Sequence, residues 1–369
     1  MRFSGQADFN HKRQDKIGVL VTNLGTPEAA TGKALKKYLK QFLSDPRVVE
    51  IPRVIWWLIL NGIILNIRPK RSAKLYETVW TDRGSPLLYH THDQAEAITQ
   101  KLAEQNINGE MDHVMVRYAM RYGQPSIESV MEEMQRDGAS KIVVLPLYPQ
   151  YSGATSGSTF DAIAALFTKT RWVPHFRFIS SYHDDDNYIN ACAEKIKAHW
   201  EVNGRAEKLI LSYHGVPRSY LEAGDPYYCH CQKTSRLIAE KLGLNKEQCI
   251  TTFQSRFGKA EWLRPYTDAT LKELSGNGTK SVDVFCPGFS ADCLETIEEI
   301  AEENKEYFME GGGEKYHYIT ALNSEALHIE TLTAIIRRNI QDWIVEKPMD
   351  NEQSYALAHS PDLAYKPKV

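Results

Sequence analysis

A chain of 369 residues, 42% apolar and 25% charged, is long enough for about two domains and has the make-up of a globular protein. A net charge of −3 excludes the dense positive field of a nucleic-acid binder. Six cysteines are too few for a disulfide framework at this length, and the opening M-R-F-S-G-Q-A-D-F-N has no apolar secretion signal, so the expectation is a cytoplasmic protein with reduced thiols.

Lys16 to Leu24 reads as a first strand, closed by the turn residues Gly25 and Pro27. The most hydrophobic stretch follows at Val54 to Ile67, 14 residues without a charge, flanked by Arg53 and by Arg68, Lys70 and Arg71. A spanning helix needs about 20 apolar residues, so this one is too short to cross a bilayer. It reads either as a buried core helix or as an apolar lip on a membrane surface or over a greasy ligand, with Trp56 and Trp57 at the interface. Val114 to Gly123 gives a second strand, a helical pattern runs on through Met134, and Lys141 to Pro146 gives a third strand.

The same order returns. Leu209 to Arg218 (L-I-L-S-Y-H-G-V-P-R) is an apolar strand ending in a turn, and it puts His214 at a strand's carboxyl end, where open α/β sheets bind their ligands. Ile250 to Gly258 ends in Arg256-Phe257-Gly258 as the earlier strand ends in Arg121-Tyr122-Gly123, and Val282 to Pro287 is the next strand. The repeat predicts an α/β fold of two similar Rossmann-like domains with parallel sheets and a cleft between them. The boundaries are 1–182, 183–323 and a C-terminal part, 324–369, whose helix at Ser324 to Ile344 braces the first domain and whose end, from Met349, is loosely ordered. The two landmark turns are 98 residues apart in the first half and 43 in the second, so the apolar segment lies in an insertion at about 35–90.

Past Pro287, Ser290 or Asp292 is positioned to cap a helix in which Glu295, Glu299 and Glu303 recur at i, i+4 and i+8 on one face. Such a row of oxygen ligands is either a solvated acidic face or a path for a divalent cation. With His214 at a neighbouring strand end, Glu295 suits proton transfer and contact with a borderline metal such as Fe²⁺ or Zn²⁺. No H-E-x-x-H spacing is present, so the site is one that passes a metal on.

These motifs resemble the ferrochelatase family over Lys16 to about Ile340. They are V-T-N-L-G-T-P at Val21, K-L-Y-x-x-V-W-x-x-x-G-S-P at Lys74, L-Y-P-Q-Y-S at Leu147, S-Y-H-G-V-P at Ser212, G-D-P-Y at Gly224, F-Q-S-R-F-G at Phe253 and D-x-L-E-T at Asp292. The resemblance implies insertion of Fe²⁺ into protoporphyrin IX with release of two protons. His214 would then be the catalytic and metal-contacting histidine, Glu295 its acidic partner, and Glu299 and Glu303 a relay. It further implies porphyrin contacts at Tyr76, Ser85, Arg117, Tyr148, Trp262 and Phe289, with Arg68 and Arg71 as candidates for the propionates. Residues 53–67 match a lip that in many members touches the membrane, which makes a peripheral position at the inner membrane face the expectation. No cofactor beyond the substrate iron is implied. The C-terminal cysteines that hold a [2Fe–2S] cluster in some members are missing, which leaves Cys229 and Cys231, with Cys249, Cys286 and Cys293, either as candidates for another cluster or as buried free thiols. Cys293 stands where animal-type members carry a histidine. Cobalt insertion into a reduced tetrapyrrole, coproporphyrin III as the ring, and a tetrapyrrole or metal carrier without turnover remain as alternatives.

Overall fold

The computed structural model describes residues 3–5, 13–106, 109–258 and 260–345. The stretch from Met349 expected to be loosely ordered lies outside them. Within this range the chain builds two four-stranded parallel sheets of the same strand order. In the first, β1 (Lys16–Gly25) lies between β2 (Val114–Tyr122) and β3 (Ala139–Pro146), with β4 (His175–Phe178) outside β3. In the second, β5 (Lys208–His214) lies between β6 (Cys249–Gln254) and β7 (Ser281–Phe285), with β8 (Lys315–Ile319) outside β7.

β1 and β5 are central strands covered on both faces, which is why they read as near-continuous apolar runs. In register, Val19 meets Val116 on one side and Val143 on the other, all three buried. The insertion forms the helices Gly32–Leu43, Arg53–Ile59 and Leu65–Val79, the last two joined by a π-helical turn, Leu60–Ile64. It has its own core of Leu35, Leu39, Leu43, Trp56, Leu60 and Leu65. Trp56, expected at an interface, is instead buried in that core, where its indole N–H donates to the Leu43 carbonyl at 2.6 Å. Trp57 is 61% exposed, in a surface shared with Val54, Ile55, Leu58, Ile63 and Ile67. Among the described residues no helix is long and apolar enough to cross a membrane.

Candidate active site

All strands of a parallel sheet end on one rim, and here the loops on both rims enclose a cavity of about 470 Å³ between the sheets. β1 contributes Asn23 and Leu24, the turn after β3 contributes Tyr148 and Gln150, β5 contributes His214, and the segment after β7 contributes Phe289, Cys293 and Glu295. The inserted helices add Leu35, Tyr38, Leu39 and Leu43 from one and Arg68, Leu75 and Tyr76 from another. The insertion therefore supplies a mostly apolar wall. The second half supplies the histidine and all four lining carboxylates, Glu295, Glu298, Glu299 and Glu303.

His214 Nδ1 lies 2.7 Å from the Gly215 carbonyl. A carbonyl oxygen only accepts, so Nδ1 carries the proton of the neutral ring and the lone pair stands at Nε2. Tyr227 donates its hydroxyl to the His214 carbonyl at 3.0 Å, which fixes the end of β5. Gly215 has to be glycine: a Cβ there would sit 2.8 Å from the Gln254 carbonyl and 3.1 Å from the Trp262 ring.

The carboxylates stand on a π-helix, Glu295–Glu303, whose i→i+5 bonding gives a wider turn than the α-helix expected from the spacing. Neither Ser290 nor Asp292 caps it. Buried Asp292 instead accepts hydrogen bonds from Tyr318 at 2.5 Å, Asn323 at 2.8 Å, Thr296 at 3.0 Å and the Ala321 N–H at 3.2 Å, and so ties the helix start to β8 and the chain that follows it. Gln254 bridges the two halves of the chemistry. Its Nε2 donates to the Glu295 carbonyl at 3.1 Å and its Oε1 accepts from Ser212, two residues before His214, at 2.8 Å.

Exposure rises along the row, from half-buried Glu295 and Glu299 to exposed Glu303. Glu299 accepts from the Ser255 N–H at 2.7 Å and from the Ser255 hydroxyl. Burial, opposed by those two bonds and reinforced by Glu295 and Glu303, pushes the Glu299 carboxyl up to about 7. Burial, with Glu303 and Glu295 near, also raises Glu298. Tyr76 is held above the ordinary phenol range by burial first and by Glu295 second, and burial does the same for Tyr148, whose hydroxyl has no hydrogen-bond partner.

The structure thus brings together His214, Glu295, Glu299, Glu303, Tyr76, Tyr148, Phe289 and Arg68 on one cavity and leaves four expected residues off its lining. Arg117 is paired in register with Leu20, short of the strand's carboxyl end, and its guanidinium faces Asp137 at 3.4 Å and Glu133 at 3.6 Å. Arg71 is exposed on the outer side of its helix. Ser85 is buried one layer back, bonded to the Thr26 hydroxyl at 2.8 Å. Trp262 packs behind Gly215 and against Phe257, 5.0 Å between ring centres, so it reaches the cavity only through that neighbour. Cys229 is exposed and Cys231 is buried in the core, two residues apart on the helix Tyr227–Leu242 and on different sides of it.

The family model for ferrochelatase matches residues 16–340 of this chain. The chain belongs to the ferrochelatase family. It is 61% identical over 356 residues to the ferrochelatase of Idiomarina loihiensis, covering 96% of this chain and 97% of that one. It is 59% identical over 353 residues to that of Pseudoalteromonas atlantica, covering 96% of each. Among solved structures it is similar to SirB from Bacillus subtilis with Fe3+, with a TM-score of 0.49 at 12% identity, covering 90% of this chain and 99% of that one. In this ferrochelatase-family cleft, sequence reasoning passed over Tyr38, Glu298 and the bridging of Gln254. The last stands inside the F-Q-S-R-F-G motif, where only its position in register with His214 reveals its use.

Proposed function

We propose that this enzyme inserts Fe²⁺ into protoporphyrin IX, forming protohaem and releasing two protons, as the last step of haem synthesis. The observation that carries the reading is one cavity holding a histidine of fixed tautomer together with four carboxylates, three of them half-buried and the outermost, Glu303, exposed. A free porphyrin carries two N–H groups at its centre, and no metal enters until both protons leave. The site therefore needs a base, a metal donor and a proton exit. His214 Nε2 is the base, since an imidazole suits proton transfer near neutral pH. Glu295 is its partner and presents the iron, while Glu299, poised at about 7, passes protons toward exposed Glu303. The apolar wall of Leu35, Leu39, Leu43 and Leu75 packs on the ring with Tyr76, Tyr148 and Phe289. Arg68, 5.9 Å from the Phe257 ring centre, is the cavity's candidate for a propionate.

The exposed apolar helices of residues 53–67, with Arg53, Lys70 and Arg71 at their flanks, support peripheral contact with an anionic membrane surface, from which a hydrophobic porphyrin reaches the adjoining cavity. Anaerobic incubation with protoporphyrin IX and Fe²⁺, followed by the metalloporphyrin spectrum, tests the chemistry. Multiple turnovers are expected for the natural chain and a loss of about 10²–10⁴-fold for His214→Ala. Binding without turnover, or an unaffected variant, would replace the reading with a carrier or with another ring and metal.

A further inference from the structure

Away from the cleft, the face of the second sheet that meets the helix Asp186–Asn203 holds a charged group in an apolar layer. Asp283 of β7 is 1% exposed and stands in register beside Leu209 on one side and His317 of β8 on the other. Its Oδ2 is held by Trp200 Nε1 at 2.7 Å and by the Ala206 N–H at 3.1 Å. Its Oδ1 faces two imidazoles, His317 Nδ1 at 3.1 Å and His199 Nε2 at 3.5 Å. His199 Nε2 is buried and has no hydrogen-bond partner.

We propose that His199, Asp283 and His317 form a second metal site, separate from the cleft, that takes a divalent first-row transition ion, Zn²⁺ foremost, and clamps the helix Asp186–Asn203 to β7 and β8. The three donor atoms lie within 4.8 Å of one another, the only such group of three among the described residues. Bonds of about 2.0–2.2 Å at tetrahedral angles set neighbouring donors about 3.3–3.6 Å apart, close to the 3.1 and 3.5 Å from Asp283 Oδ1 to the two imidazoles, which themselves lie within 4.8 Å of each other. Two imidazoles and one carboxylate select borderline ions over Mg²⁺ and Ca²⁺, which favour all-oxygen shells. The side chains of His199 and His317 are 15% and 25% exposed, which leaves a way in and a fourth position for water. The bonds from Trp200 and Ala206 to Oδ2 orient the carboxylate as outer partners orient a metal ligand. In the ion-free state Asn203 Nδ2 lies 3.2 Å from His199 Nδ1, which keeps the ring proton on Nε2. Loading moves that proton to Nδ1, where the Asn203 amide turns its oxygen to accept it, and moves the His317 proton from Nδ1, where it faces Asp283, to Nε2.

The test uses the full chain carrying His214→Ala and Glu295→Gln, which removes the cleft's histidine and its partner and so separates the outcome from the chelatase reading; an ion held instead by the remaining cleft carboxylates, Glu298, Glu299 and Glu303, is told apart because substitution of His199 or His317 does not weaken it. Titration with Co²⁺ is expected to show one ion per chain with the visible absorption of a four-coordinate site. Adding His317→Gln is expected to weaken binding at least tenfold. Saturating Zn²⁺ is expected to raise the Tm by about 3 °C in the first protein and not in the second. His199→Asn serves as the second variant should His317→Gln fail to fold. Absence of bound ion, or binding that neither histidine substitution weakens, overturns the site and leaves a hydrogen-bonded network around Asp283.

Discussion

At the scale of the residue, Glu299 carries a cost that its chemistry explains. Its carboxyl is raised from the ordinary value to about 7 by burial, so the folded chain holds a proton that the unfolded chain has already released between pH 4.5 and 7. Stability therefore falls as pH rises through that window, by up to about 3 kcal/mol from this group. Glu299→Gln keeps the shape and removes the charge. It is expected to make the protein more stable than the parent at pH 8 and nearly equal to it at pH 4, as read by urea unfolding at both. A gain of the same size at both pH values would remove ionisation of Glu299 as the cause. In the reaction, the same variant should slow turnover and flatten the limb of the pH–rate profile near 7, because the group proposed to pass protons is gone.

At the scale of the element, the start of the π-helix is anchored by Asp292. Asp292 accepts four hydrogen bonds while only 5% exposed, so Asp292→Ala leaves buried donors without partners and is expected to cost about 3 kcal/mol in urea unfolding, with a fall in turnover as Glu295 loses its place. An Asp292→Ala protein of parental stability would show that the anchor is dispensable. The π geometry was not legible in the sequence, because a row at i, i+4 and i+8 reads alike in either helix. The edge strands β4 and β8 escaped for a related reason: four or five residues, H-F-R-F and K-Y-H-Y-I, only half apolar, carry no run to see. By contrast β1, β5 and β7, covered on both faces, could be read directly, and with them the strand end that carries His214. Arg117, named through the family resemblance, stands half a strand before the end marked by Arg121-Tyr122-Gly123, and distance from the carboxyl end decides which side chains reach the cavity. The lip was legible as composition, though not which of its two tryptophans faces outward. Trp57→Ser together with Ile67→Ser is expected to weaken binding to anionic vesicles at least tenfold while leaving unfolding unchanged, since both side chains are exposed. Unaltered sedimentation with vesicles would rule this surface out as the contact.

At the scale of the whole molecule, the sequence reads as two similar domains with a C-terminal helix bracing the first, and the helices that close each repeat tie the two halves together at both ends. The helix Asp186–Asn203 follows β4 of the first sheet yet packs on the helix Tyr227–Leu242 of the second, while the helix Ala326–Val345 follows β8 yet packs on β3 and on the helix Pro86–Glu104. The two closing helices also pack on each other. One apolar core consequently contains Val19 and Val143 of the first sheet, Leu209 and Leu211 of the second, and Ile196, Leu332 and Ile336 from the exchanged helices. Arg177 of β4 reaches Asp342 at 2.5 Å across the same junction. Neither sheet can shed its covering helix without uncovering the other, so the halves are expected to unfold together, and the rims that form the cavity to stay in fixed relation. Ile336→Ala, fully buried, should cost about 2–5 kcal/mol. Native-state hydrogen exchange then separates the alternatives, since opening of one cooperative unit is felt throughout it. Protection of the amides of β1 and of β5 should fall by the same factor. A fall confined to β1–β4 would mean that the exchanged helix serves the first sheet alone and that the halves are separable after all.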